Sequence, residues 1–250
     1  MGSLFSGLGR RAFKLVYIPY YKVLFGRRLP GAEALASRVH RWELATGRGD
    51  APVSKDAWET QYRAGGWTFM RRLDEVARYA VIAGYLHHLR PGGSVLDVGC
   101  GEGLLLDHLR PLGCSRYHGI DLSEAAVEQA APRAGATASF AVADAEAFTS
   151  TERWDAIVFN ECVYYFNDPV ATVRRYGAWV EKGGALIVST FRSLRADAIA
   201  RRLGEALEVM EETAITNEKG TWMVRVYRLP TAGPDRPALR PAAPGSASGG

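Results

Sequence analysis

The strongest indication of the fold of this chain is one short stretch, Val95-Leu96-Asp97-Val98-Gly99-Cys100-Gly101-Glu102-Gly103. Its apolar beginning has the pattern of a short buried strand, and residues 104–109 have the pattern of a helix. The glycines between them accept positive φ and allow a ligand close to the backbone. The first N–H groups of the helix are free to bind an electronegative group. The stretch therefore predicts a strand, a ligand-binding turn and a helix in succession.

The spacing of the glycines helps to distinguish a dinucleotide-binding turn from a turn that binds a cationic ligand. A dinucleotide-binding turn follows Gly-x-Gly-x-x-Gly and needs glycine at position 104, but that residue is Leu104 and the third glycine is Gly103. Asp97 stands two residues before the first glycine. A carboxylate there would repel a pyrophosphate, whereas it suits a cation such as the α-amino group of methionine. The turn therefore favours a cationic ligand over a dinucleotide.

Two further acids follow the next two predicted strands. Asp121 comes 22 residues after Gly99, where a carboxylate can accept hydrogen bonds from both ribose hydroxyls. Asp144 follows the third strand, where it can accept from the adenine amino group, with the backbone of Ala145 beside it. Open α/β sheets bind ligands at the carboxyl ends of their strands. The acids therefore predict a nucleoside site along one edge of the sheet.

Residues 56–229 alternate apolar strand-like segments with helix-like segments. This alternation predicts a parallel sheet that is covered by helices on both faces. Helices are predicted over 67–89 and over 169–180, with Lys182-Gly183-Gly184 ending the second. A hairpin-like turn at 217–220 joins the last two strands. The final strand is therefore expected to run antiparallel.

These residues resemble the class I S-adenosylmethionine-dependent methyltransferases, in particular the small-molecule group, over about 58–227. The resemblance implies a Rossmann-like three-layer α/β sandwich with a seven-stranded sheet whose last strand is antiparallel. It also implies S-adenosylmethionine as the cofactor. The residues expected to bind it are Trp67, Arg78, Asp97, Gly99, Gly101, Asp121, Leu122, Asp144, Ala145 and Asn160.

The helix before the first strand adds detail to this resemblance. Trp67 and Arg78-Tyr79 are similar to a Trp and an Arg-Tyr pair at the same spacing in the nodulation-type sugar N-methyltransferases. The arginine there can hold the methionine carboxylate through two parallel hydrogen bonds. The alternative is that Trp67 is a core residue and Arg78 a solvated helix charge.

The acceptor is expected to bind beside residues 160–166, which follow the fourth strand. Glu161 is a candidate base or amine-orienting group, and Tyr164 with Tyr165 can shape an aromatic pocket that favours a cationic amine. The alternative for the tyrosines is a packed helix face. Asn160 is followed by Glu-Cys where adenine and glutamine methyltransferases have Asn-Pro-Pro-Tyr or similar, which argues against nucleic-acid bases and release-factor glutamine as acceptors.

The predicted function is methyl transfer to an oxygen or nitrogen of a small molecule, such as a sugar, a lipid head group or a secondary metabolite. The catalytic candidates are Glu161 and Tyr164, and no residue spacing indicates a metal site. Two alternatives stay open. One is a nicotinamide-dependent oxidoreductase, and the other is a non-catalytic cofactor-binding protein.

The composition divides the chain into three parts. Residues 1–55 are predicted to form a basic, aromatic N-terminal extension, residues 56–229 the methyltransferase domain, and residues 230–250 a disordered tail rich in Pro, Ala, Gly and Ser. Residues 1–28 combine six basic with many aromatic side chains and no acid, so they are a candidate for peripheral membrane contact, a lid or a packed segment. Three unpaired cysteines favour a cytoplasmic location, with the membrane surface as one option.

Overall fold

The computed structural model describes residues 55–230. The predicted N-terminal extension and C-terminal tail lie outside these residues, apart from Lys55 and Pro230. The helices are α1 (Lys55–Arg63), α2 (Leu73–Leu89), α3 (Leu104–Leu109), α4 (Glu124–Ala130), α5 (Pro169–Tyr176) and α6 (Leu194–Ala206). The strands are β1 (Ser94–Val98), β2 (Arg116–Asp121), β3 (Ala138–Val142), β4 (Trp154–Asn160), β5 (Val180–Phe191), β6 (Glu208–Asn217) and β7 (Gly220–Arg228).

The strands form one seven-stranded sheet in the order β3-β2-β1-β4-β5-β7-β6. β1 to β5 pair in parallel, whereas β7 lies antiparallel between β5 and β6. The predicted Rossmann-like sheet with an antiparallel last strand is thus confirmed. Because the order reverses at β1 and β4, a crevice opens at their carboxyl ends.

Both faces of the central strands are buried. In β4, Ile157 and Phe159 belong to one apolar cluster, while Ala156 and Val158 belong to a second. Successive side chains of a strand point to opposite faces, so these clusters lie on the two sides of the sheet. A strand that is covered on both sides needs apolar residues at every position, which explains the uninterrupted apolar run in the sequence.

The helix predicted over 67–89 begins later than expected. Residues Thr68–Arg71 form a 3₁₀ turn, and α2 begins only at Leu73. Arg72 separates the two because its backbone is extended, with φ −78° and ψ 154°. Apolar side chains repeat at similar intervals in the two helix types, so periodicity alone does not locate this break.

The helix that begins at Pro169 is also shorter than predicted. It ends at Tyr176, is followed by a 3₁₀ turn over Gly177–Trp179, and leads directly into β5. The sequence Lys182-Gly183-Gly184, expected to end the helix, lies inside β5 instead. At Gly184 a Cβ atom would lie 2.5 Å from the Asp155 carbonyl oxygen, so the glycine permits close backbone contact in the strand.

Candidate functional site

A cavity of about 1060 Å³ opens at the carboxyl edge of the sheet. Its size suits a ligand as large as a nucleoside with an attached amino acid. It is lined by residues after β1, β2, β3 and β4 and by residues of α1 and α2. The predicted site residues that line it are Trp67, Arg78, Gly99, Gly101, Asp121, Leu122, Asp144, Ala145, Asn160, Glu161 and Tyr164.

The glycine turn forms one wall of this cavity. Gly99, Gly101 and Gly103 have φ values of 69°, 54° and 75°, which side chains with a Cβ rarely adopt. A Cβ atom on Gly99 would lie 2.7 Å from the Cβ of Cys162. The Gly99 amide also donates to the Ile120 carbonyl at 2.8 Å, which fixes the turn against β2. The glycines are therefore required by both backbone conformation and space.

Asp121 lies beside the turn at the end of β2. Its Oδ2 accepts from the Gly101 amide at 2.8 Å, and its Oδ1 accepts from the Ser123 amide at 3.0 Å. Burial raises the pKa of Asp121, while these amide donors oppose that effect. Each carboxylate oxygen has a further lone pair, so Asp121 can accept from two neighbouring hydroxyl groups.

Asp97 differs from the other two acids in its surroundings. Its side chain is 2% exposed, and Asp97 is absent from the described lining of the cavity. The Tyr117 hydroxyl donates to Oδ2 at 2.5 Å, while Oδ1 has no hydrogen-bond partner among the described residues. Burial raises the pKa of Asp97 to about 7. The sequence predicts that this carboxyl contacts the cofactor; in the structure it is buried and does not line the cavity.

Arg78 is buried at the base of the cavity, so the alternative of a solvated helix charge is wrong. It is 2% exposed, donates from Nε to Asn160 Oδ1 at 3.2 Å, and pairs with Glu75 through Nη1. Burial disfavours the charged guanidinium, but Tyr79, Glu161 and Glu75 together raise the pKa of Arg78. A permanently charged group therefore lies at the point where β4 ends.

The loop after β3 forms the opposite end of the cavity. Asp144 Oδ1 accepts from the Glu146 amide at 2.8 Å, which makes a local turn. The Ala145 carbonyl accepts from Arg175 Nη2 at 2.8 Å and from the Tyr176 hydroxyl at 2.9 Å. These contacts from α5 hold the loop in place where it lines the cavity.

Glu161 and Tyr164 lie together in the loop after β4. Glu161 Oε1 accepts from Ser189 Oγ at 2.8 Å, and Oε2 accepts from the Tyr164 hydroxyl and the Phe191 amide, both at 2.9 Å. Among the described residues other than glycine, Glu161 is the one with positive φ, at 60°. Burial raises its pKa. A strained backbone at a partly buried carboxylate that lines a cavity is typical of a functional site.

Helix α1 also covers the cavity, and the sequence analysis missed it. Trp58 meets Tyr165 edge to face with ring centroids 4.8 Å apart. The Tyr62 hydroxyl lies 2.8 Å from the position of a Cβ on Gly101. Glu59 accepts from the Ala125 amide at 3.1 Å and from the Glu124 amide, which fixes α1 to α4. The four-residue spacing of Trp58 and Tyr62 was the available signal, because it places both rings on one face of a helix.

A comparison with known families agrees with this geometry. The family described as "Methyltransferase domain" matches residues 68–225, which include β1 to β6, part of β7 and most of the cavity wall. This chain is a member of that methyltransferase family. The protein is therefore an S-adenosylmethionine-dependent methyltransferase, and neither a nicotinamide-dependent oxidoreductase nor a non-catalytic cofactor-binding protein.

Individual relatives of this methyltransferase point in the same direction. It is 30% identical over 157 residues to nodulation protein S of Bradyrhizobium diazoefficiens, a match covering 61% of this chain and 73% of that protein. It is 27% identical over 166 residues to ubiquinone biosynthesis O-methyltransferase of Xanthomonas campestris, covering 61% and 66%.

Solved structures share the fold of the methyltransferase. N-methyltransferase NodS of Bradyrhizobium japonicum, in complex with S-adenosyl-L-homocysteine, has a TM-score of 0.58 at 23% identity, covering 66% of this chain and 92% of that one. The 1,6-didemethyltoxoflavin-N1-methyltransferase of Burkholderia thailandensis has a TM-score of 0.61 at 20% identity, covering 72% and 90%. Within residues 55–230 of the methyltransferase, no helix is both long and apolar enough to span a bilayer.

Proposed function

We propose that this methyltransferase methylates an oxygen or nitrogen atom of a small-molecule acceptor that binds beside Glu161 and Tyr164. The observation that carries the proposal is the hydrogen bond from the Tyr164 hydroxyl to Glu161 Oε2, at 2.9 Å, in the wall of the cavity. Both residues belong to the loop after β4, and the cofactor-binding candidates lie around them.

The residues around the cavity fit S-adenosylmethionine. Asp121 would accept from the two ribose hydroxyls, while Asp144 and the Ala145 backbone would contact the adenine ring beside Leu122. Arg78 would pair with the methionine carboxylate. Asn160, Gly99 and Gly101 would border the methionine chain, and Trp67, which directly precedes the 3₁₀ turn Thr68–Arg71, would cover the site. Asp97 is buried and does not line the cavity, so we assign it no contact with the ligand.

The fit is electrostatic as well as steric. Six acidic residues and two basic residues line the cavity. The acids are Glu75, Glu102, Asp121, Asp144, Glu146 and Glu161, and the bases are Arg78 and Lys219. An excess of carboxylates favours a ligand that carries a sulfonium and an ammonium group.

Tyr164 defines what kind of acceptor atom the site binds. A phenol has one proton to donate and two lone pairs to accept with. The proton of Tyr164 is committed to Glu161, so its oxygen presents only lone pairs to a ligand. Such an oxygen binds an acceptor atom that itself carries a hydrogen, as an amine or a hydroxyl does.

The same pair can remove that hydrogen. S-adenosylmethionine supplies a methyl group whose bond to sulfur breaks, with its electron pair, as the acceptor atom attacks. The acceptor's proton passes to the Tyr164 oxygen, and the original proton of Tyr164 passes to Glu161. The products are the methylated acceptor, S-adenosylhomocysteine and a protonated Glu161, which then loses its proton to water.

The relatives support a small acceptor without defining it. One solved neighbour is named as an N-methyltransferase and one relative as an O-methyltransferase of ubiquinone biosynthesis. A hydrogen-bonded oxygen that recognises either N–H or O–H accommodates both kinds of transfer.

The experiment that tests the proposal is an acceptor screen by mass spectrometry. Primary amines, secondary amines, alcohols and their methyl ethers are incubated with the protein and S-adenosylmethionine. Products heavier by one methylene are expected from the amines or alcohols and absent from the ethers. Methylation of protein or nucleic acid alone would contradict the proposal.

A further inference from the structure

The geometry points to a docking surface for an anionic lipid bilayer at the mouth of the cavity, on residues 67–73, here called the rim segment. This segment contains the 3₁₀ turn Thr68–Arg71 and leads into α2. Leu73 is 86% exposed, more than any other large apolar side chain in the described part of the chain. Phe69, four residues earlier, is 38% exposed. Two bulky apolar side chains thus project where burial would be expected.

The rim segment belongs to the mouth of the cavity. Trp67, Phe69 and Met70 line the cavity, while Arg71, Arg72 and Leu73 continue the segment outside that lining. A surface that holds the rim segment would therefore lie directly beside the entrance. Because of this position, a partner that binds the exposed apolar groups would also affect how ligands enter the cavity. Scattered apolar residues on the surface would have no such effect.

The charges around these apolar groups match an anionic partner. The side chains of Arg71 and Arg72 are 52% and 67% exposed. Their acidic partners are recessed, because Glu102 is 3% exposed and Asp74 is 29% exposed. The cations therefore project further than the acids that pair with them. Arginine side chains commonly reach lipid phosphates while apolar neighbours enter the acyl region.

Lys219 adds a third cation at the same place. Its Nζ lies 5.4 Å from the centroid of the Phe69 ring and is held by Asp74 and Glu75, at 2.9 Å from each. The lysine side chain is 32% exposed. It lies in the turn between β6 and β7, so a distant part of the chain places a cation, itself paired with Asp74 and Glu75, against the ring of Phe69.

The sequence before the described residues also favours an anionic bilayer as the partner. Fifty-four residues come before Lys55, and the first 32 contain six basic residues and no acid. They join the molecule at α1, which lines the same cavity through Trp58 and Tyr62. Two basic and apolar segments suit a bilayer, since stable attachment commonly combines two weak signals.

A fluorescence experiment on the full-length chain tests the surface. Leu73→Cys, in a Cys114→Ser background that removes a partly exposed thiol, is labelled with nitrobenzoxadiazole. Its emission is recorded with phosphatidylcholine vesicles that contain or lack phosphatidylglycerol. The matched control is Leu112→Cys, because Leu112 is 38% exposed and lies with Gly92 and Ser94 at the opposite edge of the sheet.

The expected result is a blue shift and brighter emission at position 73 with anionic vesicles only, and no change at position 112. Arg72→Gln should weaken vesicle binding about fivefold, from about 1 kcal/mol per arginine near an anionic surface. Arg110→Gln, near Leu112, should leave binding unchanged. The inference is overturned if the full-length protein does not bind the vesicles, or if it binds while the label at position 73 stays in water. It is also overturned if Leu73→Gln converts a dimer into a monomer in light scattering, since a second copy would then cover the surface.

Discussion

The Tyr164 hydroxyl donates to Glu161 Oε2 at 2.9 Å, and this bond joins the two polar groups that face the proposed acceptor. Ser189 and Phe191 supply two more donors to the same carboxylate, so its geometry is fixed before any ligand binds. Because this proton acceptor is already held in position, no free energy is needed to rearrange it during the reaction. The first prediction follows from this pair.

Tyr164→Phe and Glu161→Gln should each lower kcat by about 10²-fold, the usual contribution of a positioned acid–base group. Affinity for S-adenosylhomocysteine should stay within about twofold of the parent, because the cofactor residues are untouched. Rapid-quench kinetics and calorimetry measure the two quantities. Tyr85→Phe is the control, since Tyr85 bonds to Thr213 outside the cavity. Equal kcat values in all four proteins would contradict the catalytic role.

The pH dependence of kcat/KM gives a second prediction. Glu161 must be ionised to receive a proton, and burial raises its pKa above that of an ordinary glutamate. The rate should therefore rise as the pH increases through the raised pKa and level off above it. In Glu161→Gln this acidic limb should disappear, leaving any dependence that belongs to the acceptor itself. An unchanged limb in the variant would assign it to another group.

Asp121→Ala should weaken the binding of S-adenosylhomocysteine by roughly 1–3 kcal/mol, the cost of leaving polar groups without their partners. Calorimetry at a fixed salt concentration measures the difference. Asp107→Ala serves as the control, because Asp107 is exposed, pairs with Arg133 and lies outside the described cavity lining. If both variants bind like the parent, Asp121 does not contact the ribose.

The raised pKa of Asp97 predicts how the free energy of unfolding changes with pH. Its pKa is about 7 in the folded protein and near 3.8 when the chain is unfolded, so the folded state binds the proton more tightly. Its contribution to the free energy of unfolding should therefore fall as pH rises from about 4 to about 7, by at most roughly 4 kcal/mol at 1.36 kcal/mol per pH unit.

Urea unfolding across this pH range measures the effect. Asp97→Asn cannot ionise and should flatten the slope, even though its amide group lacks a partner at the Oδ1 position and costs stability at every pH. A parallel shift of the curve, with its slope unchanged, would show that Asp97 is ionised throughout. Because the test compares the slopes of the free energy of unfolding against pH, a loss of stability that is equal at every pH does not affect the result.

The contact between α1 and the glycine turn predicts energetic coupling. Gly101→Ala should destabilise the fold by about 1–2 kcal/mol from its positive φ alone, and more because the new Cβ would lie 2.8 Å from the Tyr62 hydroxyl. In a Tyr62→Phe background the nearest ring carbon, Cζ, lies 3.8 Å away, so the penalty should be smaller. A double-mutant cycle by urea unfolding measures the coupling. Strict additivity would mean that α1 does not rest on Gly101.

The central sheet and its edge acids were predictable because their signals are local. Apolar strands, the glycine spacing and the positions of Asp121 and Asp144 follow from short stretches of sequence. The cover formed by α1 was not predicted, since that helix is polar on average and none of its residues is fully buried. Nor does sequence show that Asp97 is buried and does not line the cavity, because its orientation depends on Tyr117 from the neighbouring strand.

The surroundings of Glu161 were also only partly predictable from the sequence. Its residue type suggested a catalytic group, but its positive φ and its three donors come from β5 and the loop after β4 together. α2 begins later and α5 ends earlier than predicted, because a short 3₁₀ turn replaces part of each predicted helix. Long-range partners and irregular turns are what local patterns leave undetermined.

The most direct test is a crystal structure with S-adenosylhomocysteine bound. We expect both ribose hydroxyls within hydrogen-bond distance of Asp121, at about 2.7–3.2 Å. We also expect the sulfur atom to face the Tyr164 oxygen across the space left for the acceptor. A ligand bound elsewhere, or one whose sulfur faces away from Tyr164 and Glu161, would contradict this expectation.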